Sequence, residues 1–546
     1  MTMLRSIQLE NFKAFGERTV IPLAPITLIF GQNSAGKSSV LQALSLLKQT
    51  RESRDVEALL LPRTENGFAD LGSFQEMLFD HDIGRMLTIR LDAAWDGMAK
   101  NNVFPRFLPD EGSIALEMTF ARKSLKEEIT LNNLTVFHQG DSRPLARFEP
   151  SALKRGVRMF SGVHYLPRPL RQFSPGRLRA AKCVAVTEAQ EHWKHAFETC
   201  RRQRTKCLAA LQELKPRFES GREHPFIRHL FIEEEDGDTR TAIKKRIEEA
   251  IEFFSSEFTL DRYIAKMSAE ELDTVIGLDG FLPSQETRIE QQISFITLLS
   301  RFGDFRGDVS LDVGRFASLA GAAMRQALTM LFPLGPFRKP PERYYIFTGA
   351  TPQDVGYQGH LLPDLLFRHP ELVRETNEWL ERLDIGYNIR IRPLGRKEKD
   401  LFEVRLVDMR RDPHVEVGLT DVGFGISQIL PLIVQSLAAS NQIIAVEQPE
   451  VHIHPRLQAD LGDLLVEAVK PPRRNHFLIE THSEHLALRL QRRIRDGKLR
   501  PHQVSVVYVS RGPRGATVQP LRLDDEGDFI DDFPGGFFPE RLRELR

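Results

Sequence analysis

Residues 26–39 restrict the fold more than any other stretch. Ile26-Thr27-Leu28-Ile29-Phe30 reads as a buried strand, and Gly31-Gln32-Asn33-Ser34-Ala35-Gly36-Lys37-Ser38-Ser39 as a phosphate-binding loop that opens a helix. Gly31 and Gly36 let the backbone wrap close to a triphosphate. The loop amides and the helix N-terminus direct partial positive charge at it. Lys37 adds a full charge near the outer two phosphates, and Ser38 can ligate Mg²⁺. A G-x4-G-K-S pattern arises by chance in long chains, so the flanks must decide. Here a β-type run precedes it, and Val40 to Leu47 continues as an apolar-periodic helix.

A chain of 546 residues is too long for one compact core, so several domains or one large insertion are expected. Lys plus Arg number 75 and Asp plus Glu 75, so any nucleic-acid contact must come from a local patch rather than a global field. Cys183, Cys200 and Cys207 lack metal-ligand spacing and form no even disulfide framework, which suits a reducing compartment. No apolar run has the length of a membrane span, and MTMLRSIQLENF lacks the order of a signal peptide. The expectation is a soluble cytoplasmic protein with no membrane partner.

Along the chain, Met3 to Glu10 alternates as a half-buried strand and residues 11–16 turn it back. Asp70 to Glu76 is a Gly-containing connection that includes Gln75. Met86 to Ala93, Ser113 to Ala121 and Ile129 to His138 predict an antiparallel meander. From about Pro169 to Leu331 the pattern predicts a compact helical insertion, with helices at 187–218, 241–254, 285–302 and 315–331 and breaks at 233–238 and 277–283. The expected division is an N-terminal lobe over 1–167, the insertion over 168–332 and a C-terminal lobe over 333–546. A basic cluster opens the insertion, with Arg168, Arg171, Arg177, Arg179 and Lys182, then Arg201, Arg202, Arg204 and Lys206. A solvated face explains it most simply, and clustered arginine also leaves nucleic-acid or protein docking open.

Beyond the insertion, Leu401 to Asp408 and Val415 to Leu419 predict strands. Gly423-Phe424-Gly425-Ile426-Ser427-Gln428 then leads into an apolar helix and offers amides and a hydroxyl to an anion. Ile443 to Val446 is apolar throughout, as a central parallel strand requires, and ends in Glu447-Gln448-Pro449-Glu450, at the end where ligand crevices lie. His452 and His454 precede another helix. His476 to Ile479 is a further buried strand, running into Glu480-Thr481-His482-Ser483. His452, His454, His482 and Glu480 also admit a metal-ligand reading, although helix-start and switch roles already explain them.

Taken together, these segments resemble the nucleotide-binding head of ABC-type ATPases, in the branch that holds RecF, SMC and Rad50 heads and OLD-like ATPases. The opening Ile7 to Phe15, EQPEVHIHP, ETHSEHLALRLQRRI and Pro534-Gly535-Gly536-Phe537-Phe538 are similar to a bacterial OLD-like group. The resemblance implies an α/β P-loop head, with a mixed sheet plus an antiparallel β lobe, that binds ATP and Mg²⁺. Gly31, Asn33, Ser34, Ala35, Gly36, Lys37, Ser38 and Ser39 would line the nucleotide. Gly423, Gly425, Ser427 and Gln428 would be the signature turn that reaches a partner copy's nucleotide in a homodimer or larger homo-oligomer. Ser38, Glu447 and, at the Q-loop place, Gln75 would serve the metal, and His482 would be the switch histidine.

One departure matters. Relatives end the Walker B strand in Asp-Glu, whereas here those places are Glu447 and Gln448. Glutamate still reaches Mg²⁺, but glutamine cannot take a proton, so the general base is Glu450, His482 or absent. Slow hydrolysis is expected, with ATP acting largely as a clamp. No spaced-carboxylate Toprim nuclease is recognisable after Ser510. Such heads resemble the ATPase subunit of Septu-type anti-phage systems (PtuA), which implies a separate HNH nuclease partner and in some cases a retron. The alternative is a RecF-type DNA-repair or DNA-end-binding ATPase.

Overall fold

A computed structural model describes residues 2–534 apart from 54, 56, 57, 66, 97–110, 123–128, 139–143, 151–176, 184–200, 202, 203, 206, 207, 210, 214, 217, 218, 221–236, 258, 260, 261, 263–273, 290–312, 348, 350 and 395–399. The chain opens with β1 (Thr2–Glu10), β2 (Thr19–Pro22), β3 (Ile26–Gly31) and α1 (Lys37–Glu52). Then come β4 (Leu87–Asp96), β5 (Glu111–Arg122), β6 (Ile129–His138), β7 (Pro144–Pro150) and β8 (Arg177–Cys183). Next are α2 (Gly237–Ser255), β9 (Thr274–Asp279), β10 (Leu282–Ile289), α3 (Val313–Met330), β11 (Leu331–Leu334) and β12 (Tyr345–Ile346). The remainder is α4 (Leu362–Arg368), α5 (Pro370–Arg382), β13 (Tyr387–Pro393), β14 (Leu401–Asp408), β15 (Val415–Gly418), α6 (Phe424–Ala438), β16 (Ile443–Glu447), α7 (Pro455–Ala468), β17 (His476–Glu480), α8 (Glu484–Arg495), β18 (Val504–Gly512) and β19 (Gly515–Leu521).

The chain divides into two compact units. The first comprises 1–53, 60–91 and 326–546, and the second 54–59 and 92–325, so both divisions fall inside elements, β4 and α3.

In the first unit the central sheet has the order β11-β16-β17-β3-β18-β19. The first five strands run parallel, and β19 returns antiparallel to β18. Parallel strands covered on both faces must be apolar along their length, and Ile443–Val446, Phe477–Ile479 and Ile26–Phe30 are buried throughout. On the core side, Ile433 and Leu430 of α6, Leu464 and Leu465 of α7 and Leu486 of α8 join Leu28, Ile444 and Phe477 in one cluster. β3 comes from the first thirty-one residues, yet it lies between β17 and β18. A smaller antiparallel sheet, β12-β14-β13 with β15 on β14, adds Phe402 and Leu406 to the same core.

The second unit contains the antiparallel order β10-β9-β8-β7-β6-β5. The expected strands at 113–121 and 129–138 are present as β5 and β6, paired from Ile114↔His138 to Arg122↔Ile129. The uniformly helical reading of 168–332 is corrected, because its described residues include β8, β9 and β10 beside α2 and α3. The break expected at 277–283 is a hairpin: Asp279 pairs with Leu282, and Gly280 (φ 63°) opens the two-residue turn. Asp-Gly between short apolar runs is a hairpin signal, and Glu286 and Arg288 after it alternate with a period of two, as a strand does. The expected helices near 241–254 and 315–331 correspond to α2 and α3, and α2 buries Ile247, Ala250 and Phe254 along one stripe. Arg168, Arg171, Arg202 and Lys206 of the basic cluster lie outside the described residues, as do Gly535 to Phe538; Arg204 is engaged internally, donating to the carbonyls of Phe254 (2.7 Å) and Ser256 (2.8 Å). No helix among the described residues is long and apolar enough to cross a membrane.

The ends at which β16 and β17 begin are tied to the end of α6 by Asn475, which is fully buried. Its amide donates to the carbonyls of Ser436 (3.2 Å) and Ala439 (3.0 Å), and its oxygen accepts from the Gln442 N–H (3.2 Å). Asn475→Ala leaves these backbone groups buried without partners, at a cost of roughly 1–3 kcal/mol for each group that stays unsatisfied. We expect a loss of about 2–4 kcal/mol of unfolding free energy, read as a lower urea midpoint at unchanged slope.

Candidate nucleotide site

The site forms where four neighbouring parallel strands end. β3 delivers the loop at 31–36, β17 delivers Glu480, β16 delivers Glu447, and the segment after β11 delivers Arg338. Positive φ angles at Gly31 (148°), Ser34 (60°) and Gly36 (107°) shape the loop. A Cβ on Gly31 would sit 2.2 Å from the Val509 carbonyl oxygen, and one on Gly36 would sit 2.5 Å from the Ala14 Cβ, so neither position tolerates a side chain. Gln32, Asn33 and Ser34 are exposed on the loop, whereas Ala35, Lys37 and Ser39 are buried.

Lys37 folds back over the loop. Its Nζ donates to the Gln32 carbonyl (2.8 Å) and lies 4.0 Å from Glu480 Oε1, with both side chains almost wholly buried. Glu447 and Glu480 are register partners at the ends of β16 and β17, so two carboxylates face each other beside one lysine. Burial, and then Glu480, push Glu447 up to about 7 against the pull of Arg338. Glu480 is raised by burial and drawn back by the Ser38 hydroxyl and Lys37, and its Oε2 is buried without a partner. Burial lowers Lys37, opposed by Glu480 and Glu450. A carboxylate pair that resists ionisation, with an unused buried oxygen beside the loop serine and lysine, fits a site that takes a divalent cation and phosphate. Ser38, Glu447 and Glu480 are the residues that would hold Mg²⁺.

Glu450 is placed differently. One oxygen accepts the His482 N–H (2.6 Å) and the other the Thr481 hydroxyl (2.9 Å), so the carboxylate fastens the turn after β16 to the end of β17. With both oxygens in use, it is poorly disposed to take a proton from water. Gln448 has φ 43°, and its N–H donates to the Glu480 carbonyl (2.8 Å), which fixes the turn between the acids. Desolvation and the Lys37 charge lower the His482 imidazole, which keeps it neutral near pH 7.

Gln75 is exposed, and its amide donates to the His81 carbonyl (3.3 Å) within the turn at 73–81. Gly425 packs so closely on the 452 backbone that a Cβ would lie 2.4 Å from the His452 oxygen, while Gly423 has open space around it. Gly423 and Gly425 border an apolar pocket with Ile426, Ile429 and Leu457. Gln428 is buried and its Nε2 has no partner. His454 caps α7 by accepting the Arg456 N–H (3.3 Å). Among the described residues no group of three or more His, Cys, Asp or Glu side chains forms a metal cage, so His452, His454, His482 and Glu480 share no such cage, and Glu480 keeps its place beside Ser38 and Glu447.

Arg338 escaped the sequence reading, and Glu480 entered it only as a metal ligand grouped with the histidines, not as the neighbour of Lys37 and Glu447. Glu480 could have been found as the lone charge that closes an otherwise apolar strand. Arg338 sits in a Pro-rich run that reads as a linker, and only the neighbouring strand β11 brings it to Glu447.

The model of the family described as AAA ATPase domain matches residues 3–300 and 372–487. Among curated proteins, the DNA replication and repair protein RecF of Cyanothece sp. (strain PCC 7425 / ATCC 29141) is 43% identical over 67 residues, 12% of this chain and 18% of that protein. The chromosome partition protein Smc of Synechococcus sp. (strain ATCC 27144 / PCC 6301 / SAUG 1402/1) is 37% identical over 67 residues, 12% of this chain and 6% of that protein. The chain thus spans less than a fifth of either relative. Among solved structures, the Pyrococcus furiosus Smc head domain with an extended coiled coil, bound to the C-terminal domain of ScpA, aligns over 96% of this chain and 97% of its own, at 10% identity and TM-score 0.36. The SMC head domain from Thermotoga maritima aligns over 95% and 99%, at 11% identity and TM-score 0.33.

The Glu447 carboxyl generates a pH signature. Its value in the folded chain, about 7, lies above the ordinary 4.5, so the native state holds the extra proton between those limits. Its contribution to stability is therefore full below about pH 4.5 and is lost as pH rises to about 7. In the protein without nucleotide, Glu447→Gln should stabilise by roughly 1–3 kcal/mol at pH 8, and the gap to wild type should close by pH 5. Chemical denaturation of both proteins at the two pH values checks this.

Proposed function

The chain belongs to the AAA ATPase domain family, and from that premise we propose that it binds Mg²⁺-ATP at residues 31–39 and hydrolyses it slowly, using the nucleotide chiefly to hold two copies together. The observation that carries this reading is the distribution of carboxylates around Lys37. Gln448 has no basic oxygen, both oxygens of Glu450 are engaged, and Glu447 and Glu480 face each other at the cation end of the site. Glu480, whose Oε2 has no protein partner, lies beside Ser38 and Lys37 where the cation would be held, so no carboxylate stands apart from both the cation and the turn to take the proton of an attacking water. Bound Mg²⁺ supplies charge neutralisation and Lewis acidity. Lys37 orients the outer phosphates, the loop amides hold their oxygens, and neutral His482 stands within the electrostatic reach of Lys37.

The clamp needs a second copy. The turn 423–428 opens a fifteen-residue helix, α6, with Gly423 unobstructed, and an N-terminus of this kind suits the phosphates of a partner's nucleotide. Likeness of an OLD-like head with no recognisable Toprim nuclease to the ATPase subunit of Septu-type systems supports a role in anti-phage defence, in which the ATP-held assembly restrains or scaffolds a separate HNH nuclease, with or without a retron. A second reading is favoured by the curated relatives, which are a replication and repair protein and a chromosome partition protein. Under it, DNA stimulates the same ATPase and no nuclease accompanies it.

Pure protein should turn over ATP well below the typical enzyme median of about 10 per second. Lys37→Ala should abolish nucleotide binding, and Gln448→Glu should raise turnover at least about tenfold, in line with the contribution of a positioned base. Rapid unstimulated hydrolysis by the wild type would overturn the clamp. Co-purification of an HNH nuclease supports the defence reading, whereas DNA-stimulated turnover without one supports repair.

A further inference from the structure

Arg338 is 7% exposed, and its guanidinium is only partly used. One terminal nitrogen donates to the Pro336 carbonyl (3.0 Å), whereas Nε and the other terminal nitrogen have no hydrogen-bond partner. Its backbone is held firmly: the N–H groups of Gly335 and Lys339 donate to the carbonyls of Tyr357 and Gln358, both at 2.9 Å. The groups that act on its charge are Glu447, Glu450 and Tyr357. A buried guanidinium with a free edge is costly unless something anionic meets it. Glu447 and Glu450 lie near enough to feel the charge, yet neither accepts a hydrogen bond from that edge.

The strand order gives the edge a direction. Across β11-β16-β17-β3 the charged groups run Arg338, Glu447, Glu480, Lys37, so one cation approaches from each side of the carboxylate pair. Lys37 Nζ lies 4.0 Å from Glu480 Oε1, and the Arg338 guanidinium is close enough to Glu447 and Glu450 to act on them, so both cations stand against the same group of carboxylates. Nε together with a terminal nitrogen is the pair of donors that makes a two-point contact with a phosphate.

We propose that Arg338 binds the terminal phosphate of the nucleotide held by Lys37, and so determines the preference for a triphosphate over a diphosphate. This rests on the nucleotide reading of the loop and adds a second grip, from the opposite side of the carboxylates. Loss of the contact removes only what the third phosphate contributes.

The test measures equilibrium binding of a non-hydrolysable ATP analogue and of ADP, each with Mg²⁺, to the full chain. Arg338→Met should weaken the analogue about 10- to 100-fold, as a charge-assisted hydrogen-bonded pair would, and leave ADP within about twofold. Arg338→Lys, which keeps the charge but loses the fork, should fall between, and it carries the test if the methionine variant does not fold. Equal losses for both nucleotides, or an unchanged ratio, would overturn the proposal and leave Arg338 a structural residue. Wild type that binds neither nucleotide would instead reject the loop reading itself.

Discussion

Everything in the first unit serves to keep opposite charges apart from water and close to one another at one edge of a sheet. Lys37 and Glu480 are 4.0 Å apart and nearly inaccessible, with Glu447 and Arg338 next in line. Charges in such surroundings interact more strongly than in water but are expensive to place there. The apolar helices and the β11-β16-β17-β3 strands meet that expense, since their burial fixes the strand ends from which these side chains project. The outcome is a set of groups with displaced proton affinities, the usual condition of sites that handle highly charged ligands.

The loop at 31–39 was legible because its glycines, lysine and serine are diagnostic at fixed spacing and because the flanks have opposite periodicities. The parallel strands at 443–447 and 476–480 were equally plain, since uninterrupted apolar runs of that length have few other homes. The helical reading of 168–332 misses β9 and β10, where the Asp279-Gly280 turn marks a hairpin and Glu286 and Arg288 alternate at the period of a strand. The place of Glu480 beside Lys37, and Arg338 altogether, escape for a different reason. Their significance depends on which strands are neighbours, and strand order is a long-range property that no local window contains.

Gln448 and Glu450 show how much a site can change by rearranging acids without losing them. The turn after β16 still carries carboxylates on both sides of the glutamine. One is turned towards the cation end, and the other is spent on the His482 N–H and the Thr481 hydroxyl. That second carboxylate makes the turn rigid and couples it mechanically to the segment that starts α8. A residue count would call the site rich in acids, whereas the hydrogen bonds leave it poor in bases.

The position of β3 carries a consequence for how the molecule is made. It is translated before its neighbours on either side, β17 and β18, which lie more than four hundred residues further along the chain. Until they emerge, the loop has no walls: the Val509 carbonyl that Gly31 abuts and the Ala516 N–H bonded to Ala14 do not yet exist. The apolar strand and its lysine therefore wait without their neighbours throughout that stretch of synthesis, and the walls of the loop are complete only once β18 and β19 have docked beside it.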